Sequence, residues 1–287
     1  MVGVTDRYVP TPHVLDRRQL LLGLAAGAAA ALAGCSFSGQ GTTRGALAAG
    51  SRYGGFRFAP DHSEPARPLP PIPSPRPGRP VQVSRLPGGT NGIALTIDDG
   101  YNAATVSAYV TFCQDTGIPI TFNPNGCYAA EWAPHAAVLR PLIAAGQVQI
   151  GNHTLHHLNL TRLTGQQVRE EIQRNEQWVQ DTFGVTSRPW FRPPYGSHTR
   201  RTDEIAGELG FTRILLWNGS FGDSEVLSAG TLLKLARRYL RPGVVLLGHA
   251  NHPTVTRLYG QIVELIRARD LAPQTLDQVF GTSRAIG

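Results

Sequence analysis

The chain has 287 residues, 41% hydrophobic and 16% charged, which is enough apolar material for a packed core and too little charge for a disordered protein. No stretch reaches the roughly 20 apolar residues of a membrane-crossing helix, and three cysteines are too few for a disulfide scaffold. The formal net charge of +7 comes mainly from residues 35–92, where seven arginines face only Asp61 and Glu64. Residues 93–287 are close to neutral, so a basic face for nucleic acid is not supported.

Arg17-Arg18 precede an uncharged run from Gln19 to Gly34, mostly Leu and Ala over residues 20–33. That length suits the apolar region of an export signal better than a membrane span. The run closes on Leu32-Ala33-Gly34-Cys35, which resembles the lipobox of bacterial lipoprotein signal peptides. The two arginines resemble a twin-arginine export signal, with Leu20-Leu21 where that motif often has Phe-Leu. The resemblance implies a signal peptide over 1–34, a lipid on Cys35, and an exported protein anchored on the outer side of the cytoplasmic membrane. Residues 35–92 start with Gly, Ser, Thr and Ala and turn Pro/Arg-rich, as in Pro68-Leu69-Pro70-Pro71-Ile72-Pro73. Such composition reads as an extended tether.

A domain is expected over 93–287. Residues 93–97 are a short apolar run ending at Asp98-Asp99-Gly100, a buried strand by pattern. Asn102 can cap a helix running to about Thr116, closed by Gly117. A strand over 118–122, a helix over 134–145 and a strand over 147–150 follow. Thr164 opens a long amphipathic helix that ends near Phe183-Gly184. Then come a strand near Trp190-Phe191, a helix over 200–209, a strand over 213–217, a helix over 232–240, a strand over 244–247 and a helix over 255–269. Strands alternating with helices predict parallel strands and crossover helices. The expected fold is α/β, a distorted (β/α) barrel of about seven strands, with a doubly wound open sheet as the other arrangement.

The residues able to do chemistry follow these strands: Asp98 and Asp99, His153 and His157, Arg192, Asp223 and His249. In parallel α/β folds the loops at the C-terminal strand ends form the active site. His153 and His157 lie four apart, so one helical turn would set both imidazoles on one face. Two imidazoles and a carboxylate, with Asp99 the natural candidate, make a three-ligand metal site with positions open to water and substrate. His156 would point elsewhere.

Thr96-Ile97-Asp98-Asp99-Gly100 resembles the T-F-D-D-G motif of the polysaccharide deacetylases, the NodB-homology domain of carbohydrate esterase family 4. His153-Thr154-Leu155-His156-His157 is similar to the family's H-[ST]-x-x-x-H, Arg192-Pro193-Pro194-Tyr195 to R-x-P-Y, and Leu247-Gly248-His249 to L-x-H, all in the family's order. The resemblance implies a divalent metal on Asp99, His153 and His157, often zinc, with cobalt or another divalent ion as alternatives. It implies Asp98 as general base and Arg192 as its ionic partner. Tyr195 would offer its backbone N–H to the oxyanion, and His249 would be the general acid, tuned by Asp223. The implied substrate is an acetylated glycan, such as cell-wall polymer or a chitin-like chain.

Four places depart from the family pattern, the first being Ile97 in place of the usual Phe. Tyr101 stands where Pro is frequent, Ser224 follows Asp223 where Trp is usual, and Ala250-Asn251-His252 follows His249 where an Asp is frequent. Trp217 or Phe221 could supply the missing groove wall. Cys113 and Cys127 could pair or stay as two thiols, and His252 could line the site or cap a loop. Two other functions compete with the amide hydrolase: an O-acetyl esterase on acetylated polysaccharide, and a non-catalytic glycan-binding lipoprotein on the same scaffold.

Overall fold

In the computed structural model, which describes Tyr53, residues 55–59 and residues 80–281, strands and helices alternate along the chain. The order is β1 (Val81–Val83), β2 (Gly92–Asp99), α1 (Ala103–Thr116), β3 (Ile120–Pro124), α2 (Ala129–Trp132), α3 (Ala136–Ala144), β4 (Val148–Ile150), α4 (Gly165–Phe183) and β5 (Trp190–Phe191). It continues with α5 (Arg200–Glu208), β6 (Arg213–Leu215), β7 (Gly219–Ser220), α6 (Ala229–Tyr239), β8 (Val245–His249), α7 (Tyr259–Ala268), β9 (Ala272–Pro273) and α8 (Leu276–Phe280). The expected signal peptide, the expected anchor at Cys35 and most of the expected tether lie outside the described residues.

Every strand ladder is parallel. One sheet runs β4-β3-β2-β8-β7 and the other β1-β6-β5. They meet at three places. A parallel bridge joins Asn152 to Phe191, an antiparallel bridge joins Arg85, just past β1, to Val244, just before β8, and beyond β6 the N–H of Asn218 donates to Val245 O at 3.2 Å. The expected parallel α/β fold with crossover helices is present, and the ladders around it are interrupted at these junctions.

The period-2 alternation of strands explains how the centre is sorted. Along β2, Ile93, Leu95 and Ile97 join the core shared with α1 and α7. Ala94 belongs to a second cluster with Val245, Leu215 and Trp190, closed by Leu276 and Val279 of α8. The face that carries Ala94 and Thr96 therefore also carries Asp98. Large residues face the helices, and small and polar ones face inward.

Local signals set the helix ends. The Asn102 side chain accepts from the Thr105 N–H, and Gly117 closes α1 in the left-handed conformation at φ 71°. Thr164 and Gln167 form a capping box on α4, which stops at Gly184.

The structure corrects several boundaries. β3 runs Ile120–Pro124 rather than 118–122. The helix expected over 134–145 divides into a 3-10 turn, Ala133–His135, and α3. That expected over 255–269 divides into Val255–Leu258 and α7. The domain also begins before residue 93. β1 pairs with β6, and Tyr53, Phe56 and Phe58 pack against the core cluster. The Phe58 N–H donates to Thr116 O at 2.6 Å, and the Tyr53 and Phe112 ring centroids are 5.6 Å apart. Three aromatic side chains within six residues bury enough apolar surface to dock part of a stretch whose composition otherwise reads as tether.

Candidate active site

Strand register builds the first part of the site. Asp98 of β2 is the Cα partner of Asn123 on β3 and of His249 on β8. Neighbouring parallel strands lie about 4.8 Å apart, so a row Asn123–Asp98–His249 crosses the C-terminal ends of three strands. Asp98 is 2% exposed. Its Oδ1 accepts from Arg192 Nη1 at 2.7 Å and from Asn123 Nδ2 at 2.8 Å. Its Oδ2 lies 3.7 Å from His153 Nε2. Arg192 is fully buried, donates from Nη2 to Thr96 Oγ1 at 2.8 Å and lies over the Trp217 ring at 5.7 Å. One oxygen of Asp98 is thus spoken for, and the other is turned toward the histidines.

Asp99, His153 and His157 converge beside this row, with ligand atoms all within 4.8 Å of one another. Asp99 Oδ1 lies 3.5 Å from each Nε2 and is buried without a hydrogen-bond partner. His153 Nδ1 lies 2.7 Å from Arg192 O, which places the proton on Nδ1 and leaves the Nε2 lone pair facing inward. Burial alone would raise the Asp99 pKa, but the adjoining imidazoles of His153 and His157 outweigh it and hold the carboxyl well below the usual carboxylate range. An orphaned carboxylate oxygen facing two imidazole nitrogens is the donor set of a divalent cation, so the residues fit a metal.

The backbone is strained where this site is built. Five described non-glycine residues have positive φ, and four of them are Asp99 (65°), Thr154 (68°), His157 (55°) and Tyr195 (61°). Such conformations cost about 1–3 kcal/mol each and persist where surrounding structure holds them. Here Asn125 Nδ2 donates to His153 O at 2.6 Å and to Thr154 O at 2.9 Å. Trp132 Nε1 donates to Asp99 O at 2.9 Å.

His249 closes the opposite side. Its Nδ1 lies 3.0 Å from Asp223 Oδ1, and its N–H donates to Asp223 Oδ2 at 3.2 Å. Burial lowers the His249 pKa, but the hydrogen bond to Asp223 and the charges of Asp98, Asp223 and Asp99 outweigh it and raise the group above the ordinary histidine value. Tyr195 sits in the turn Pro194–Gly196, 66% exposed, with its ring 4.6 Å from that of His157.

Residues 86–214 match the family model described as Polysaccharide deacetylase. Over that segment the chain is similar to the polysaccharide deacetylases. Among curated relatives, the bifunctional xylanase/xylan deacetylase of Cellvibrio japonicus is 28% identical over 194 residues, covering 68% of this chain and 28% of that protein. The peptidoglycan-N-acetylglucosamine deacetylase PgdA of Listeria monocytogenes is 24% identical over 209 residues, covering 72% and 43%. The chain thus spans less than half the length of these two. Among solved structures, a T48 deacetylase with substrate matches with a TM-score of 0.58 at 26% identity, covering 68% of this chain and 93% of that one. A CE4 family pseudoenzyme from Bacillus anthracis has a TM-score of 0.62 at 18% identity, covering 70% and 69%, and shares the fold.

All eight candidate residues of the folded domain lie at strand ends or in the loops beyond them, and the structure corrects how some are placed. His153 and His157 are in an irregular loop; left-handed turns at Thr154 and His157, not a helical turn, bring their rings to 4.9 Å. His156 does point away, to Glu171 Oε1 at 2.7 Å. Phe221 is buried in the core, so of the two candidate walls only the half-buried Trp217 is left, packed against Gly196. Cys113 and Cys127 are both free. Cys113 is in the buried C-terminal half of α1, which leads back to the start of β3, and Cys127 lies past the other end of β3. His252 Nε2 lies 2.9 Å from Tyr101 OH. Asn123, Asn125 and Asn251 were not among the candidates. A lone asparagine has no motif, and Asn123 and Asn251 act on carboxylates 25 and 152 residues away.

Proposed function

We propose that the domain is a divalent-metal-dependent hydrolase that removes acetyl groups from N-acetylated sugars of a glycan. The observation that carries this reading is the orphaned Oδ1 of Asp99, facing two imidazole nitrogens beside a carboxylate already braced for proton transfer. Asp99, His153 and His157 would hold the cation. A bound zinc-like ion supplies positive charge that acidifies water and polarises a carbonyl.

The remaining roles belong to the chain's own groups. Asp98 Oδ2 is the base that takes a proton from the attacking water, while Arg192 and Asn123 hold Oδ1 and fix the carboxylate's direction. The Tyr195 backbone N–H is the donor to the developing oxyanion. An amine leaves only when protonated, and His249, whose proton is retained by Asp223, supplies that proton from its ring. Proton transfers of this kind contribute about 10²–10⁴-fold each.

The test is acetate release by the full chain, metal-loaded against chelated, on acetylated chitooligosaccharides, peptidoglycan and acetyl-xylan. Metal-dependent release is expected, with amide substrates preferred. Release from acetyl-xylan alone would establish the second reading, an O-acetyl esterase, which the likeness to a xylan deacetylase favours. Glycan binding without metal and without acetate release would make the domain a binding module.

We further propose that the protein is exported and held by a lipid on Cys35, on the strength of Arg17-Arg18, the apolar run and Leu32-Ala33-Gly34-Cys35. Cys35→Ala should then leave the membrane fraction; protein that stays anchored rules the lipid out.

A further inference from the structure

One side chain ties the loop after the metal ligand to the loop after the acid. Asn251, 4% exposed, donates from Nδ2 to Asp99 Oδ2 at 2.7 Å. Its Oδ1 accepts from the N–H of Gly100 at 3.1 Å and of Tyr101 at 3.4 Å. The consequence falls on Asp99. A carboxylate can meet a cation with one oxygen or with both. Here Oδ2 is occupied by an amide donor, and only Oδ1 is left facing His153 and His157, 3.5 Å from each Nε2.

We propose that Asn251 is a positioning residue that holds Asp99 as a one-oxygen ligand and couples the cation site to the strand of His249. The inference rests on the metal-site reading above.

The residue type follows from the partners. An amide presents a donor to the carboxylate from one atom and an acceptor to two backbone N–H groups from another. An aspartate would set two carboxylates face to face. The Tyr101 N–H exists because the chain has Tyr where the similar family often has Pro, and proline has no N–H to give. The departures at 101 and 251 therefore belong together: the second accepts the hydrogen bond that the first makes available.

The experiment is a Co2+ titration of the metal-free full chain in competition with a chromophoric chelator. It is read with the visible absorption of the Co2+ form and with thermal melting of the metal-free protein. Asn251→Ala should bind Co2+ roughly 10–100-fold more weakly, the usual effect of removing a partner of a metal ligand. Its Co2+ absorption should change as the freed Oδ2 joins Oδ1 on the ion, with cooperative melting retained. Affinity within twofold of wild type, with an unchanged absorption band, would overturn the proposal. Should Asn251→Ala fail to melt cooperatively, Asn251→Ser decides by the same titration, because its side chain stays polar but ends one bond short of the position from which Asn251 donates to Asp99. A wild-type chain that binds no Co2+ would overturn the metal-site reading as well, so the two failures are told apart.

Discussion

The two sides of the active site are built differently. On the side of β2, β3 and the loop after β4, Asp98 and Asp99 are buried, and each has an asparagine on one carboxylate oxygen. Buried Arg192, Trp132 and Asn125 brace the same region. On the side of β7 and β8, Asp223 is buried and fixed on His249, but the chain then leaves the core. Ser224 and Glu225 are exposed, and Val226 is 76% exposed. A packed carboxylate has few tolerable alternatives, because burying an unpaired charge or an unmatched donor is costly. An exposed loop has many. The side of Asp98 and Asp99 is therefore held by packing, whereas the chain beyond Asp223 lies at the surface.

The largest expected effects lie on the packed side. His153→Ala and Asp99→Ala should each abolish stoichiometric metal binding, read by metal analysis of the purified protein. Asp98→Asn should keep the metal, since Asp98 is no part of the ligand triad, yet lower acetate release by about 10²–10⁴-fold. Asp98→Asn protein that turns over normally would show that another group takes the proton.

Between the two sides, the pH profile reports on His249. Its raised pKa keeps the ring protonated further into the alkaline range, and activity falls as pH rises through that value. Asp223→Asn removes the carboxylate that favours the charged ring, so the alkaline limb of kcat should move to lower pH. A limb that stays in place would mean that His249 is not the acid.

How much of this was legible in the sequence follows the same division. The alternation in residues 93–98 and the capping residues Asn102 and Thr164 encode structure over a few neighbours, and they locate the strand ends and with them the candidate residues. The loop of His153 and His157 was misjudged because its left-handed residues are Thr and His, not the Gly that announces positive φ. β1, docked on β6 from 132 residues away in register, has only three residues and no pattern of its own. Asn251 was noticed only as a departure, because its meaning depends on a carboxylate that the fold, not the sequence, places beside it.

The smallest effect concerns the exposed side. The family pattern has Trp after the aspartate, and here Ser224 leaves that position open, with Trp217 half-buried against Arg192 and Gly196. Ser224→Trp adds an apolar surface beside the acid without touching the Asp223–His249 pair. Burying roughly 40 Å² of a sugar ring's apolar face under an aromatic side chain gains on the order of 1 kcal/mol, which corresponds to a KM lower by about fivefold. The gain should appear on longer oligosaccharides, and kcat should stay unchanged, because a contact made equally in the ground and transition states lowers KM alone. Steady-state kinetics on chitooligosaccharides of increasing length check this. A fall in kcat instead would mean that the loop after Asp223 is coupled to the acid, and the two sides of the site would then be less separate than their packing implies.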